Sequence, residues 1–268
     1  MILGDYHVHT PYCPHGSTDR WEQYIIKAIE LGLEEISFTE HAPLPESFED
    51  PVPEKDSAMN RHALESYLAE GLTLKQQFAS DIKINLGFEL DYLEGYEFET
   101  SQFLNTYGEV IDDAILSVHM LRLATNHYAC LDYSADHFGE IANQLGSTEQ
   151  VYDLYYRTIE KAVCADLGKY KPTRIGHLTL IEKFKQKYPL TKDNSDQIEQ
   201  ILRLIKDKQY CLDINTAGLY KPDCLSIYPN KKVIQRAKEL FIPLVPGSDS
   251  HEAATLTRGF QLISPYLD

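Results

Sequence analysis

Two rhythms of apolar residues alternate along the chain. Short runs rich in β-branched and aromatic residues, bounded by Gly, Pro, Asn or Asp, predict strands at Ile2–His9, Glu35–Thr39, Ile82–Glu89, Ala114–His119, Arg174–His177, Tyr210–Asn215 and Ile242–Asp249. Between them, apolar positions recur every three or four residues, which predicts amphipathic helices at Thr18–Leu31, Met59–Ser80, Glu97–Gly108, Thr148–Leu167, Asp193–Lys206 and Lys231–Leu240. Strand and helix alternating in this way predict an α/β fold, a parallel sheet with right-handed crossovers that is either open or closed into a barrel. The first helix is expected to be capped by Ser17 or Thr18, to carry Asp19 and Glu22 at the positive end of its dipole, and to stop at Gly32. Two stretches break the rhythm. Ala42–Asp56 holds four prolines and many acids, and Leu121–Gly146 has few helix or strand signals. Both are expected to be irregular lids or binding loops.

A length of 268 residues suits one α/β barrel, so residues 1–268 are expected to form a single domain. A formal net charge of −16 repels phosphodiester backbones, and with no Lys/Arg-rich run to offset it a nucleic-acid partner is not expected. The five cysteines, Cys13, Cys130, Cys164, Cys211 and Cys224, lie far apart without a CxxC pair, which fits reduced thiols. With no signal-peptide pattern and no apolar run long enough to span a bilayer, a soluble cytoplasmic enzyme is expected.

The titratable residues carry the functional reading. His7 and His9 leave the first strand on the same face, because strand side chains alternate. His15 follows in the next loop, His41 follows strand two, Glu89 ends strand three, His119 strand four and His177 strand five, and Asp249 and His251 follow strand seven. All nine fall at the carboxyl ends of parallel strands, where α/β proteins place their chemistry. Imidazole together with carboxylate, without thiolate, suits Zn²⁺, Mn²⁺ or Fe²⁺. Nine donors exceed one ion's needs, so three divalent ions sharing a bridging carboxylate are expected. Cys13 lies among these residues, with no neighbouring base in sequence.

These residues form an ordered set that resembles the polymerase and histidinol phosphatase (PHP) superfamily: Asp5-Tyr-His-Val-His-Thr-Pro-Tyr-Cys-Pro-His15, Phe38-Thr-Glu-His41, Gly87-Phe-Glu89, Ser117-Val-His119, Ile175-Gly-His177 and Gly247-Ser-Asp-Ser-His251. The resemblance implies a distorted, TIM-like (β/α)7 barrel with its site at the C-terminal ends of the strands. It also implies one metal on His7, His9, Glu89 and Asp249, a second on Glu89, His119 and His177, and a third on His15, His41 and His251, with Glu89, Asp249 and His177 as catalytic residues. The related amidohydrolases also begin with HxH, but they typically have eight strands and a bridging lysine on strand four, where this chain has His119.

Leu86–Glu97 and Asp213–Pro222 resemble the histidinol-phosphatase branch in particular. That resemblance implies hydrolysis of the small molecule L-histidinol phosphate, in histidine biosynthesis, by attack of a metal-bridging hydroxide. Members often carry a basic residue where this chain has Tyr220; Lys221 stands beside it. Arg157, Asn215 and Lys221 are the expected phosphate contacts, and Asp91, Tyr92, Glu94 and Tyr96 the expected contacts of the substrate's amino and imidazole groups. Asp5 and Glu40 are expected to accept imidazole N–H groups, Glu40 from His41. Two other readings stay open: another phosphatase of the superfamily, acting on phosphotyrosyl peptides or nucleotides, and a non-catalytic metal-bearing binding protein. Oligomeric state is not legible in the sequence.

Overall fold

A computed structural model describes residues 2–267. All seven expected strands form one parallel sheet: β1 (Gly4–Val8), β2 (Glu35–His41), β3 (Lys83–Asp91), β4 (Asp113–Ser117), β7 (Arg174–Ile175), β8 (Cys211–Asn215) and β9 (Leu244–Gly247), side by side in that order. The two edges meet. Val8 bridges Ser250 in parallel, Asp249 N–H donates to His7 O at 2.8 Å, and His9 N–H donates to Ser250 O at 2.9 Å, so the sheet curls into a nearly closed barrel.

The expected helices pack outside: α1 (Trp21–Glu30), α2 (Leu64–Gln77), α3 (Glu97–Tyr107), α5 (Thr148–Cys164), α6 (Ser195–Asp207) and α7 (Lys231–Glu239), with a short α8 (Phe260–Ile263) at the end. In α1 the residues Trp21, Tyr24, Ile25 and Ala28 make one buried stripe. Its start differs from expectation. Arg20 is the cap residue and its N–H donates to Gln23 Oε1 at 2.7 Å, while Ser17 Oγ accepts from Asp19 N–H one turn earlier. Gly32, at φ +75, ends the helix in the left-handed conformation.

Strand side chains divide cleanly. Val8, Ile36, Phe38, Ile84, Leu86, Phe88, Leu116 and Leu212 point out and join Trp21, Tyr24, Tyr67 and Tyr155 in the main core, between sheet and helices. The alternate positions line the barrel interior and are largely polar: Asp5, His7, Ser37, Thr39, Glu89, Ser117, Arg174 and Asp213, all at most 4% exposed. Barrels of this kind are ordinarily filled by branched apolar side chains. A polar interior is stable only if its groups are paired. At the floor, Arg174 Nη2 donates to Tyr6 O at 2.9 Å and to Asp113 Oδ2 at 2.8 Å.

The stretch 121–146 is not the irregular loop expected. It holds most of a hairpin, β5 (Met120–Ala124) with β6 (His127–Cys130), and a helix, α4 (Ala135–Leu145). Ser134 Oγ caps α4 by accepting from His137 N–H, and Gly146 at φ 99 closes it. The mid-helix Gly139 hides this pattern in the sequence; it is needed because a Cβ there would lie 2.3 Å from Tyr188 Oη. The stretch 42–56, by contrast, is irregular throughout. Asp50 fastens it by accepting from Val52 N–H (2.9 Å), Ser57 N–H (3.1 Å) and Ser57 Oγ (2.8 Å), and Phe48 and Val52 pack it onto Met120 and Cys130 of the hairpin.

Candidate metal centre

Glu89 stands at the centre of the barrel mouth, 2% exposed. Its Oε2 lies 3.2 Å from His7 Nε2, 3.5 Å from His9 Nε2 and 3.3 Å from His41 Nδ1. Its Oε1 lies 2.9 Å from His177 Nε2 and 3.7 Å from His119 Nε2, and it accepts from Ser117 Oγ at 2.6 Å. Asp249 Oδ1 adds a second carboxylate, 3.1 Å from His9 Nε2 and 3.8 Å from His7 Nε2. The backbone of Asp249 is left-handed, at φ 56, which turns the chain sharply as it leaves β9; Asp tolerates this conformation better than most residues.

Donor atoms converge in three groups, each within 4.8 Å: His7, His9 and Glu89; Glu89, His119 and His177; and His9, Cys13, His41 and His251. The first two groups share Glu89. Beside the third, the His15 ring lies 5.1 Å from that of His41 and 5.0 Å from that of His251, centre to centre. All nine residues expected at one end of the barrel thus gather there. Cys13 joins them, buried, with its thiol pushed well up by burial and by the carboxylates of Glu40 and Asp249.

The residues fit divalent cations. His119 Nε2 and His177 Nε2 face each other at 3.1 Å across Glu89, which directs two imidazole nitrogens at one point. His7 Nε2, despite its distance of 3.2 Å from Glu89, is off hydrogen-bond geometry, and it and His251 Nε2 are buried without a hydrogen-bond partner. A nitrogen lone pair buried in this way is costly unless an ion or donor receives it. Burial alone would raise the carboxyls of Glu89 and Asp249, but the imidazoles around them, His7 foremost, hold both well below the usual range. Burial, followed by the charge of His9, pushes His41 and His251 well below the usual imidazole value. Anionic carboxylate and neutral imidazole are the forms that bind metal, and His7, His9 and His119, which against burial the facing carboxylates push up, to about 9 for His9 and about 10 for His119, would each give up a proton to a cation bound there.

A further layer fixes the rings. Asp213 Oδ2 lies 2.9 Å from His7 Nδ1, Glu40 Oε1 lies 3.2 Å from His9 Nδ1, Asp91 Oδ1 lies 2.7 Å from His119 Nδ1, and Asp56 O lies 2.7 Å from His15 Nδ1. Each leaves the other ring nitrogen free to face the centre.

Several sequence expectations are corrected here. Asp5 touches no imidazole; it sits one layer deeper and accepts from the N–H groups of Ser248 (2.9 Å) and Thr257 (3.0 Å), and Asp213 takes its expected place at His7. Glu40 serves the ring of His9, not that of His41, whose backbone N–H it accepts instead. Asp91, expected at the substrate, is committed to His119. Asn215, expected at the phosphate, is fully buried and donates to Asp249 Oδ2 at 3.0 Å. Arg157 is exposed on α5, whose inward stripe is Tyr152, Tyr155, Tyr156 and Ile159, and it does not reach the site. Tyr92 is tied to Glu97, Glu94 to Lys161, and Tyr96 packs on Phe48; none of them lines the cavity over the centre.

That cavity has a volume of about 640 Å³. Lys221 lines it as expected, together with Lys183, Arg258, Glu54 and Asp56, which the sequence reading did not single out. Lys183 Nζ is paired with Asp132, at 2.9 Å from Oδ2.

Fold and site together define a seven-stranded barrel with a histidine–carboxylate centre at its C-terminal mouth. The chain belongs to the PHP domain family, whose profile matches residues 5–217. It is 44% identical over 263 residues to the histidinol-phosphatase of Bacillus subtilis (strain 168), a match covering 97% of this chain and 98% of that protein. Among solved structures it resembles the hisK protein of Listeria monocytogenes, with a TM-score of 0.91 and 40% identity, covering 97% of this chain and 99% of that one. The fold also matches the histidinol phosphate phosphatase of Lactococcus lactis subsp. lactis Il1403, crystallised with Zn, L-histidinol and phosphate, with a TM-score of 0.70 and 23% identity over 98% of this chain and 93% of that one.

Proposed function

We propose that this protein is a histidinol-phosphatase, a metal-dependent phosphoric monoester hydrolase that releases L-histidinol and phosphate from L-histidinol phosphate and works as a single barrel domain. The observation that carries this reading is the end-to-end likeness to the Bacillus subtilis histidinol-phosphatase, joined to a centre whose donors fit metal ions. Three divalent ions, Zn, Mn or Fe, are assigned to His7, His9, Glu89 and Asp249, to Glu89, His119 and His177, and to His15, His41 and His251. Bound there, such ions neutralise phosphate oxygens and lower the pKa of water enough for a nucleophile to exist near neutral pH.

The protein's own part is positioning. Asp213, Glu40 and Asp91 hold the rings of His7, His9 and His119, and Asn215 holds Asp249 against rotation. The cavity wall is polarised around the ring of strands. Glu54 and Asp56 follow β2, whereas Lys221, which pairs with no carboxylate among the described residues, follows β8, and the order of the sheet sets β2 across the mouth from β8. Such a cavity suits a phosphate ester whose other end is a cation, as in histidinol phosphate. Glu54→Gln is accordingly expected to raise KM for histidinol phosphate about fivefold, the scale of one partly exposed ion pair, and to leave KM for p-nitrophenyl phosphate unchanged.

The decisive experiment is phosphate release from histidinol phosphate before and after chelation, followed by re-addition of Mn²⁺, Fe²⁺ or Zn²⁺. Activity is expected to fall to background and to return with at least one of the ions. Activity that survives complete metal removal, or a kcat/KM for phosphotyrosine equal to that for histidinol phosphate, would overturn the reading.

A further inference from the structure

Arg258 has an environment that sets it apart from the other cations of the cavity. Its guanidinium carbon lies 3.9 Å from the centre of the Tyr220 ring, and among the described residues it pairs with no carboxylate. That is unusual in a chain with a net charge of −16. Lys183, on the same wall, is neutralised by Asp132.

Stacking occupies the face of a guanidinium and leaves the N–H groups around its edge free. Those edge donors form a fork that matches two oxygens of one phosphate. The main chain of Arg258 is also fixed. Thr216 Oγ1, just past β8, donates to Arg258 O at 2.6 Å, and the preceding N–H, that of Thr257, donates to Asp5 Oδ2 at 3.0 Å. The following residue, Gly259, lies at φ +87 and leads into Phe260, which is buried with Ile214. Tyr220 is carried by the turn Ala217–Tyr220 that follows β8, so platform and guanidinium rest on neighbouring strand ends, β8 and β9. The following Lys221 lines the same cavity and also pairs with no carboxylate among the described residues.

We propose that Arg258, held over the ring of Tyr220, is the residue that grips the phosphoryl group of the substrate in this site, with Lys221 as its neighbour. The proposal rests on the phosphatase reading above and adds the residue that sets affinity for the phosphate end. Arg258 touches the transferred group without giving or taking a proton. It therefore governs KM more than kcat.

The test separates the two ends of the product. Inhibition by inorganic phosphate and by L-histidinol is measured on metal-loaded wild type, Arg258→Ala, Arg258→Lys, Tyr220→Phe and Tyr220→Ala, with histidinol phosphate and p-nitrophenyl phosphate as alternative substrates. In Arg258→Ala the phosphate inhibition constant and both KM values are expected to rise roughly ten- to hundredfold, the worth of a charge-assisted hydrogen-bond pair, while inhibition by L-histidinol and metal content stay at the wild-type level. Arg258→Lys keeps the charge without the fork and is expected to recover part of the loss. Tyr220→Phe keeps the ring and is expected to retain more of the phosphate inhibition than Tyr220→Ala, which weakens it about two- to fivefold. A phosphate inhibition constant unchanged in Arg258→Ala, or phosphate and L-histidinol inhibition weakened alike, would overturn the proposal. A wild type that cleaves p-nitrophenyl phosphate but not histidinol phosphate refutes the substrate reading, and the phosphate constants still decide the role of Arg258.

Discussion

Glu89→Gln is expected to lower kcat/KM for histidinol phosphate on the order of a thousandfold or more, because it removes several kcal/mol of metal-borne charge stabilisation, and to lower the metal content of the purified protein with it. The reason is local geometry. Each oxygen of Glu89 faces a different set of imidazoles, His7, His9 and His41 on one side and His119 and His177 on the other. The amide has almost the same shape, but one of its two ends becomes an NH₂ that cannot donate a lone pair to a cation, and the negative charge is gone. Whichever way the amide turns, one of the two donor groups that share Glu89 loses its carboxylate. Metal analysis together with kinetics distinguishes this from misfolding, and far-UV circular dichroism is expected to be unchanged. Arg157→Ala, exposed on α5, is the matched control and is expected to change neither quantity. Equal, mild effects from the two substitutions would contradict the role proposed for Glu89.

The barrel and the imidazoles and carboxylates at its mouth were legible in the sequence because both depend on short-range pattern. A strand that ends in His7 and His9 must place them together, and runs such as Ile84–Leu90 announce a strand whatever lies beside it. The groups that hold the rings were harder to see. Asp213 and Asn215 share a face of β8, as Glu89 and Asp91 do of β3, so alternation gives their side but not which partner lies across the barrel. Asp5 shows the same limit. It faces inward as expected from its spacing to His7, but one layer deeper, where the N–H groups of Ser248 and Thr257 reach it before any imidazole does. Lys183 and Arg258 lie on 3₁₀ and irregular segments, whose course is set by distant contacts such as Thr216 with Arg258. Neither has a periodic signal. Helix α4 was lost to Gly139, a residue that reads locally as a break and is there for Tyr188.

Gly87→Ala is expected to cost about 3 kcal/mol or more of stability, the range of overpacking that only the backbone can relieve. Gly87 pairs with Thr39 of β2 on one side and with Asp113 of β4 on the other, so β3 is held from both edges at this point. A Cβ on Gly87 would stand 1.8 Å from the carbonyl oxygen of Asp113. Rotamer changes cannot relieve that contact; β3 and β4 must separate. Their separation would pull on Ser117 and Glu89, 2.6 Å apart across the same pair of strands, and on Asp91 and His119, 2.7 Å apart. The substitution should therefore damage the centre as well as the fold. Gly71→Ala is the informative comparison, since the same methyl group on α2 would meet side chains and not backbone, Leu86 Cδ1 at 2.5 Å and the buried ring of Trp21, Cη2, at 2.9 Å. Helix propensity returns about 1 kcal/mol at that site, so its net cost is expected to be smaller than that of Gly87→Ala. For a chain of this size 3 kcal/mol corresponds to a fall in Tm of roughly 6–12 °C, measured by thermal unfolding at fixed metal concentration. If Gly87→Ala and Gly71→Ala melted together, the close approach of β3 and β4 would not be what this glycine provides.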